Sequence, residues 1–317
     1  MPTEVSEHRL SRIRSRTEYW LRRLFVETTW GVGLADAPIE SFLDTSSPPR
    51  LRYWRGLTRT DRFCADPFGQ VTGRTLTMLC EDFGHTRAKR GVISAVVIDL
   101  QGQEPTPSQV RPVLDDGSHM SFPFLVCDGG TWYCMPETSA RGCISLYKAV
   151  EFPFRWDEGQ VIIQNFSGLD SAAARFKGRW WLFSTDACAP GPPNLCVWHA
   201  DTLQGPWTPH ARNPVKADAS SCRGAGTPFI FDGALYRPSQ DCSDGYGRRV
   251  NINRLVRLSG DEFAEETVAT VHSPRDAGFP DGIHTLSSAG PYTLIDGRRD
   301  DLDLSKPLRR FLRHFRA

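Results

Sequence analysis

Between residues 75 and 184 the apolar and aromatic residues gather in short runs broken by Gly, Pro, Asp and Ser. These are TLTMLC at 75–80, VISAVVIDL at 92–100, TWYCM at 131–135, ISLYKAV at 144–150 and RWWLFS at 179–184. Runs of this length, rich in β-branched and aromatic side chains and bounded by turn formers, predict antiparallel strands. No interior segment keeps a helical period long enough to compete. The expected fold class is all-β.

A weaker pattern lies over the strands: a small or acidic residue leads into a strand, a Gly turn follows, and an aromatic strand ends on an acid. Four copies read directly, from Asp66-Pro67-Phe68 to Glu81-Asp82, from Ser121-Phe122-Pro123-Phe124 to Glu137, from Asp170-Ser171 to Asp186, and from Thr227-Pro228-Phe229 to Asp241. A fifth, degenerate copy runs from His284 to Asp296-Gly297. The copies recur about every 50 to 58 residues, the length of one four-stranded propeller blade. One blade cannot bury both its faces, so the repeat must close on itself. The sequence thus predicts a five-bladed β-propeller over residues 28–300, closed by the segment from Trp30 to Phe42. In that geometry Asp66, Ser121, Asp170, Thr227 and His284 line the central channel. The terminal acids Glu81, Glu137, Asp186 and Asp241 sit toward the rim.

The two ends differ from this middle. Residues 1–27 alternate Leu10, Ile13, Trp20, Leu21, Leu24 and Phe25 with six arginines, and residues 301–317 place Leu308, Phe311, Leu312 and Phe315 on one helical face among four more. Both ends read as short, basic amphipathic helical extensions, suited either to an anionic membrane surface or to packing on the propeller.

Charge and cysteines narrow the class further. With 38 Lys+Arg against 37 Asp+Glu the formal net charge is +1, which argues against a dedicated nucleic-acid binder. No stretch approaches the roughly 20 apolar residues of a membrane span, and the N-terminus carries charge where a secretory signal carries an apolar run. Nine cysteines, an odd number, do not form a secreted disulfide framework, so a reducing, cytoplasmic location is expected. No Cys/His spacing demands a metal, and no cofactor is expected, although a divalent ion could sit among channel carboxylates.

Carboxylates converging on one mouth suit acid–base work at a glycosidic or anomeric centre, because paired carboxyls can divide the roles of acid, base and nucleophile. The catalytic candidates are Asp36, Asp66, Glu137 and Asp170. Asp36 follows the close-approach glycines Gly31 and Gly33, Asp66 and Asp170 hold the leading repeat position, and Glu137 ends an aromatic strand. A second group, His119, Arg223, Arg237, Gln240, Asp241 and His284, is expected to bind substrate. Its Arg and His members suit a phosphate or pyrophosphate. Structural pairing of Arg223 and Arg237 with acids such as Asp241 and Glu137 explains the same residues. Trp132, Tyr133, Trp180, Trp181, Trp198, Trp207, Tyr236 and Tyr246 are numerous enough for sugar-stacking walls, or for packing between blades. CRGAGTPF lacks the helix of a phosphate-cradling loop, and no GxSxG elbow supports Ser–His–Asp catalysis.

The blocks WGVGLADAPIESFL, SFPFLV, YCMPETS, GPWTPHARNPVKAD and, most specifically, LYRPSQDCSDGYG resemble the bacterial relatives of the N-terminal propeller domain of plant glucosamine inositolphosphorylceramide transferase, over roughly residues 28 to 298. More distantly, the LQGPWTPH turn and the repeated acids are similar to the five-bladed glycosidases of the arabinanase and invertase clan. That second resemblance implies one acid from each of three blades, falling on Asp36 or Asp66, on Asp170 and on Glu137. Together they imply a glycosyltransferase-like enzyme that moves a sugar, such as a furanose, from a phosphate-activated donor to a glycan or lipid-linked acceptor. The setting would be surface polysaccharide or glycolipid synthesis. A glycoside hydrolase and a non-catalytic glycan-binding propeller are the alternatives.

Overall fold

The computed structural model describes residues 24–58, 62–84, 90–102, 109–275 and 278–307. Residues 1–23 and 308–317, where the sequence predicts most of the two basic amphipathic helices, lie outside the described residues. Contacts divide the chain into residues 30–298 and a second unit made of the two ends. In the second unit Thr28 Oγ1 donates to Asp300 Oδ1 at 2.7 Å. No helix among the described residues is long and apolar enough to cross a membrane.

The described residues form five antiparallel sheets. The first strands among the described residues, β1 (Val26–Ala35) and β2 (Leu51–Tyr53), belong to the last sheet. The first blade is β3 (Arg62–Thr72), β4 (Thr75–Gly84), β5 (Gly91–Asp99) and β6 (Arg111–Leu114). The second is β7 (Ser121–Asp128), β8 (Thr131–Glu137), β9 (Cys143–Glu151) and β10 (Arg155–Trp156), with β11 (Gln160–Gln164) also on β9. The third is β12 (Gly168–Phe176), β13 (Arg179–Asp186), β14 (Asn194–Ala200) and β15 (Thr208–Pro209), with β16 (Lys216–Ala217) also on β14. The fourth is β17 (Phe229–Phe231), β18 (Ala234–Asp241), β19 (Arg249–Leu258) and β20 (Phe263–His272). In the fifth, β21 (Leu286–Ala289) and β22 (Tyr292–Leu302) are completed by β1 and β2, so a strand from the start of the chain closes the last blade.

This is the five-bladed β-propeller read from the repeat, and the inner hairpin of each blade coincides with one copy. The core lies between neighbouring sheets. Phe68 of β3 meets Phe122 and Phe124 of β7 edge-on, with ring centroids 4.9 and 5.8 Å apart, and all three are buried. Each such ring contributes on the order of 2 kcal/mol by burial alone. Five of the nine cysteines, Cys64, Cys80, Cys134, Cys196 and Cys222, are buried as free thiols. They serve as small apolar side chains.

The innermost strands of the first three blades share a bulge. Register shifts between Ala65 and Phe68, between Ser121 and Phe124, and between Leu169 and Ala172. One residue in each bulge takes positive φ: Asp66 at 50°, Phe122 at 43° and Asp170 at 46°. The repeat position in the second blade is therefore Phe122 and not Ser121. A bulge re-aims side chains and ends the regular pairing, and here it turns Asp66 and Asp170 toward the axis.

Candidate active site

A cavity of about 220 Å³ opens at one mouth of the propeller, lined by Trp30, Phe63, Ala65, Asp66, Glu81, Phe83, His119, Ser121, Glu137, Asp170, Arg223, Tyr246 and His284. Drug-sized ligands occupy about 300–1,000 Å³, so this space suits about one sugar ring. Four of its lining side chains are buried carboxyls.

Asp66 is held from the fifth blade. Its Oδ1 accepts from Thr285 Oγ1 at 2.8 Å and lies 3.6 Å from His284 Nε2, while its Oδ2 accepts the Phe122 N–H at 3.2 Å. The other ring nitrogen, His284 Nδ1, pairs with Asp296 Oδ2. Asp296 is completely buried and also accepts the backbone N–H groups of Asp66, His284 and Thr285 at 3.0–3.2 Å. Burial pushes the Asp66 carboxyl up, His284 opposes this and the charges of Asp296 and Asp170 add to it, leaving it at about 6. Burial alone would lower His284, but Asp296 and Asp66 outweigh it and hold the imidazole above its ordinary value. Trp30 covers this ring face-on, 3.9 Å between centroids.

Asp170 and Glu137 form the second half. Glu137 Oε2 accepts the Asp170 N–H at 3.2 Å. Arg223 Nε donates to Asp170 Oδ2, and Arg223 Nη2 lies 3.9 Å from Glu137 Oε2. Gln240 Nε2 steadies the same Asp170 oxygen at 2.9 Å and reaches the Gly224 carbonyl at 2.9 Å. Gly224 lies so close to this strand that a Cβ there would meet the Asp170 carbonyl oxygen at 2.3 Å, which explains a glycine after Arg223. Burial, followed by the Asp170 charge, raises Glu137 to about 8 against the opposing pull of Arg223. The Nη groups of Arg223 donate no hydrogen bond to any described residue, and the guanidinium lies 4.9 Å from the centre of the Tyr246 ring.

Several placements differ from the sequence reading. Asp36 is exposed just past the end of β1 and does not line the cavity. Trp30, which does line it, is six residues back, about 20 Å along an extended strand. Arg237 is buried in a fork with Glu265 of β20, at 3.1 and 2.6 Å, away from the cavity; its partner is neither Asp241 nor Glu137. Asp241 pairs with Arg249 at 2.7 Å, and Gln240 stands behind Asp170 without lining the cavity.

His119 does line the cavity but is no cation. Its Nδ1 accepts the Gly91 N–H at 2.8 Å, and burial together with Arg90 lowers its titration below the ordinary value. Glu81 and Glu137 face the cavity and not the rim. They pair with Ala65 and Ser121, directly beside the bulges, whereas Asp186 and Asp241 lie one residue beyond the corresponding Thr185 and Gln240. One step along a strand flips the face. Of the eight aromatic residues considered for stacking only Tyr246 reaches the lining, joined there by Trp30, Phe63 and Phe83.

Among the described residues Asp66, His284 and Asp296 are the group whose ligand atoms converge closely enough for a cation. Their atoms are already engaged with one another, with Thr285 and with backbone N–H groups, and His284 would need both nitrogens for protons. The donor set fits an Asp–His–Asp proton-sharing triad and does not fit a metal cage.

Residues 55–278 match the family model for glucosamine inositolphosphorylceramide transferase 1, N-terminal. The chain belongs to this family. It is 35% identical over 211 residues to glucosamine inositolphosphorylceramide transferase 1 of Oryza sativa subsp. japonica, and 34% identical over 211 residues to that of Arabidopsis thaliana. Each match covers 65% of this chain but only 28% and 27% of those relatives, so the chain spans little more than a quarter of their length. Among solved structures, a family 117 glycoside hydrolase of Zobellia galactanivorans superposes with a TM-score of 0.51 at 14% identity, covering 89% of this chain and 92% of that one. An exo-β-1,3-galactanase of Clostridium thermocellum gives 0.53 at 8% identity, covering 77% and 68%. At these identities the likeness is one of fold. This chain thus shares the propeller architecture of these glycosidases.

Proposed function

We propose that this chain is a carbohydrate-active enzyme of the glycosyltransferase type, moving a sugar from a phosphate-activated donor to a hydroxyl of a glycan or lipid-linked acceptor. The observation that carries the reading is the division of carboxyls at one mouth. Asp66, raised to about 6, is mostly ionised at pH 7, and Glu137, raised to about 8, is mostly protonated. Asp66 takes the proton of the acceptor hydroxyl as that oxygen attacks the anomeric carbon. The leaving oxygen departs with the electrons of the broken bond and meets the Arg223 Nη groups or the Glu137 proton. The Asp170 carboxylate faces the positive charge that develops on the sugar.

The plant relatives support the transfer reading, since their names join glucosamine and inositolphosphorylceramide to a transferase. For this chain we carry over transfer to a glycolipid-type acceptor. A cytoplasmic location against the inner face of the membrane belongs to the same proposal, supported by the arginine-rich ends. The acidic lining and the glycosidase-like fold favour hydrolysis as the second reading.

The test is incubation of the purified protein with nucleotide-activated hexoses and N-acetylhexosamines in the presence of octyl glycosides, read by mass spectrometry of the acceptor. A mass gain of one sugar, lost in Asp66→Asn and Glu137→Gln, is expected. Release of free sugar from unactivated glycosides, with no gain on the acceptor, would establish the hydrolase reading. Sugar binding without turnover of any kind would leave a lectin and end both.

A further inference from the structure

Glu81 stands out among the four lining carboxyls because the other three are met by donors from the protein. Only 8% exposed and aimed into the cavity, it accepts no hydrogen bond from any described residue. Burial, reinforced by the surrounding charges of Asp66, Glu137, Asp170 and Asp296, holds its carboxyl well above the usual range. His119 Nε2 lies 3.7 Å from Glu81 Oε1, too far for a hydrogen bond. Its side chain is 11% exposed and opens on the cavity, so solvent or a ligand there, and not the protein, supplies its hydrogen bonds.

The position of this pair is built. Gly91 sends its N–H to His119 Nδ1 at 2.8 Å and accepts the Met120 N–H at 3.1 Å, which fixes the loop carrying the imidazole. A Cβ on Gly91 would strike Glu81 Oε1 at 2.5 Å and the Met120 carbonyl at 2.6 Å, so a glycine is required for both side chains to sit where they do. Phe83 meets the imidazole edge-on at 6.2 Å between centroids. With Nδ1 occupied as an acceptor, the neutral ring carries its proton on Nε2, and a second proton on Nδ1 would point directly at the Gly91 N–H. His119 is thereby a fixed neutral donor beside a fixed acceptor.

We propose that Glu81 and His119 form a hydrogen-bonding fork that reads one neutral hydroxyl of the sugar in the cavity. A hydroxyl oxygen placed about 2.8 Å from each fits between atoms 3.7 Å apart, accepting from His119 Nε2–H and donating to Glu81 Oε1. Phosphate is disfavoured at this pair, since it would face the Glu81 carboxyl and His119 brings no charge, whereas Arg223 lines another part of the cavity beside Asp170. The inference rests on the carbohydrate reading above and adds the specificity-determining residues and the group they recognise.

The test is calorimetric binding of methyl β-D-glucopyranoside, its 2-, 3-, 4- and 6-deoxy analogues, its 2-amino-2-deoxy analogue and glucose 1-phosphate, to the full chain and to Glu81→Leu, His119→Phe and His119→Gln. One deoxy analogue is expected to bind at least about tenfold more weakly than the parent. That discrimination should vanish in Glu81→Leu and His119→Phe and survive in His119→Gln, whose amide replaces the Nε2–H donor. Equal binding of all four deoxy sugars, tighter binding of the amino sugar, a gain from the phosphate of glucose 1-phosphate that disappears in His119→Phe, or failure of every neutral sugar to bind overturns the fork. A second arm needs no ligand: nitrogen-15 NMR should find His119 neutral and protonated on Nε2 at pH 7, and an imidazolium there overturns it as well. Fork-dependent binding without turnover would sink the enzyme reading and leave the fork standing. Turnover with a KM indifferent to both disruptive variants would do the reverse.

Discussion

Replacing Glu137 by Gln should stabilise the fold while removing activity, and the size of the gain should depend on pH. Glu137 is 7% exposed and its carboxyl is raised from 4.5 to about 8, first by burial and then by the Asp170 charge. Below pH 4.5 the group is neutral in folded and unfolded chains and contributes no pH dependence. Between 4.5 and 8 the unfolded chain releases this proton and the folded one keeps it, so stability falls as pH rises, by about 1.4 kcal/mol per unit. The accumulated cost is under about 1 kcal/mol at pH 5 and on the order of 3 kcal/mol at pH 7. Gln has the same shape, does not ionise, and still offers a carbonyl to the Asp170 N–H. Arg223 loses little, because its close partner is Asp170 and Glu137 lies 3.9 Å away. Urea denaturation at pH 5, 7 and 8.5 should therefore show variant and parent nearly equal at the lowest pH and the variant more stable above it. At pH 7 the melting temperature should rise by about 5–10 °C. Turnover should fall by about 10²–10⁴ with loss of the acid. A stability difference that is the same at pH 5 and pH 7 would mean that Glu137 is already ionised in the folded chain, and the assignment of its proton would be refuted.

The pH dependence of kcat/KM in the parent enzyme should be a bell, rising through about 6 as Asp66 ionises and falling through about 8 as Glu137 loses its proton, with both limbs belonging to the coupled group; a single flat plateau from 5 to 9 contradicts the division of roles. Arg237→Ala should cost about 3 kcal/mol in denaturant unfolding, because it removes the fork on the buried Glu265 side chain and leaves it only Lys216 Nζ at 3.0 Å, yet leave ligand affinity of the folded fraction unchanged. Arg223→Ala should instead weaken donor binding at least about tenfold in calorimetry, a loss of about 1.4 kcal/mol; unchanged affinity would remove Arg223 from the site. Asp36→Asn should leave both turnover and stability within about 0.5 kcal/mol of the parent, as expected for an exposed residue outside the cavity.

The propeller was legible because its signal is local and repeated. Each inner hairpin carries its own Gly turn, as at Gly73 between β3 and β4 and at Gly178 between β12 and β13, and a spacing shared by five copies outweighs noise in any one. Asp66 and Asp170 were found for the same reason, since they occupy equivalent bulges with positive φ. The repeat puts Glu81 at the rim because the motif ends on an acid in every early copy, and spacing alone does not show that Asp186 and Asp241 sit one residue further along than Glu81 and Glu137. The pair Asp296-Gly297 has the composition of a turn. It lies inside β22, and the turn comes earlier, at Gly290.

What the chain does not display locally is the set of groups that make one carboxyl unlike the next. Asp66 and Asp170 are the same residue in the same backbone conformation, and their letters predict the same chemistry. The difference comes from blades far along the chain: Thr285 reaches Asp66 across 219 residues, with His284 beside it, and Arg223 reaches Asp170 across 53. An imidazole shared with Asp296 leaves Asp66 able to take and return a proton. A guanidinium and the Gln240 amide hold Asp170 in a lasting ion pair. Closure of the ring of blades is what brings these partners together, so the proton chemistry of the mouth is a property of the completed propeller and of no single repeat.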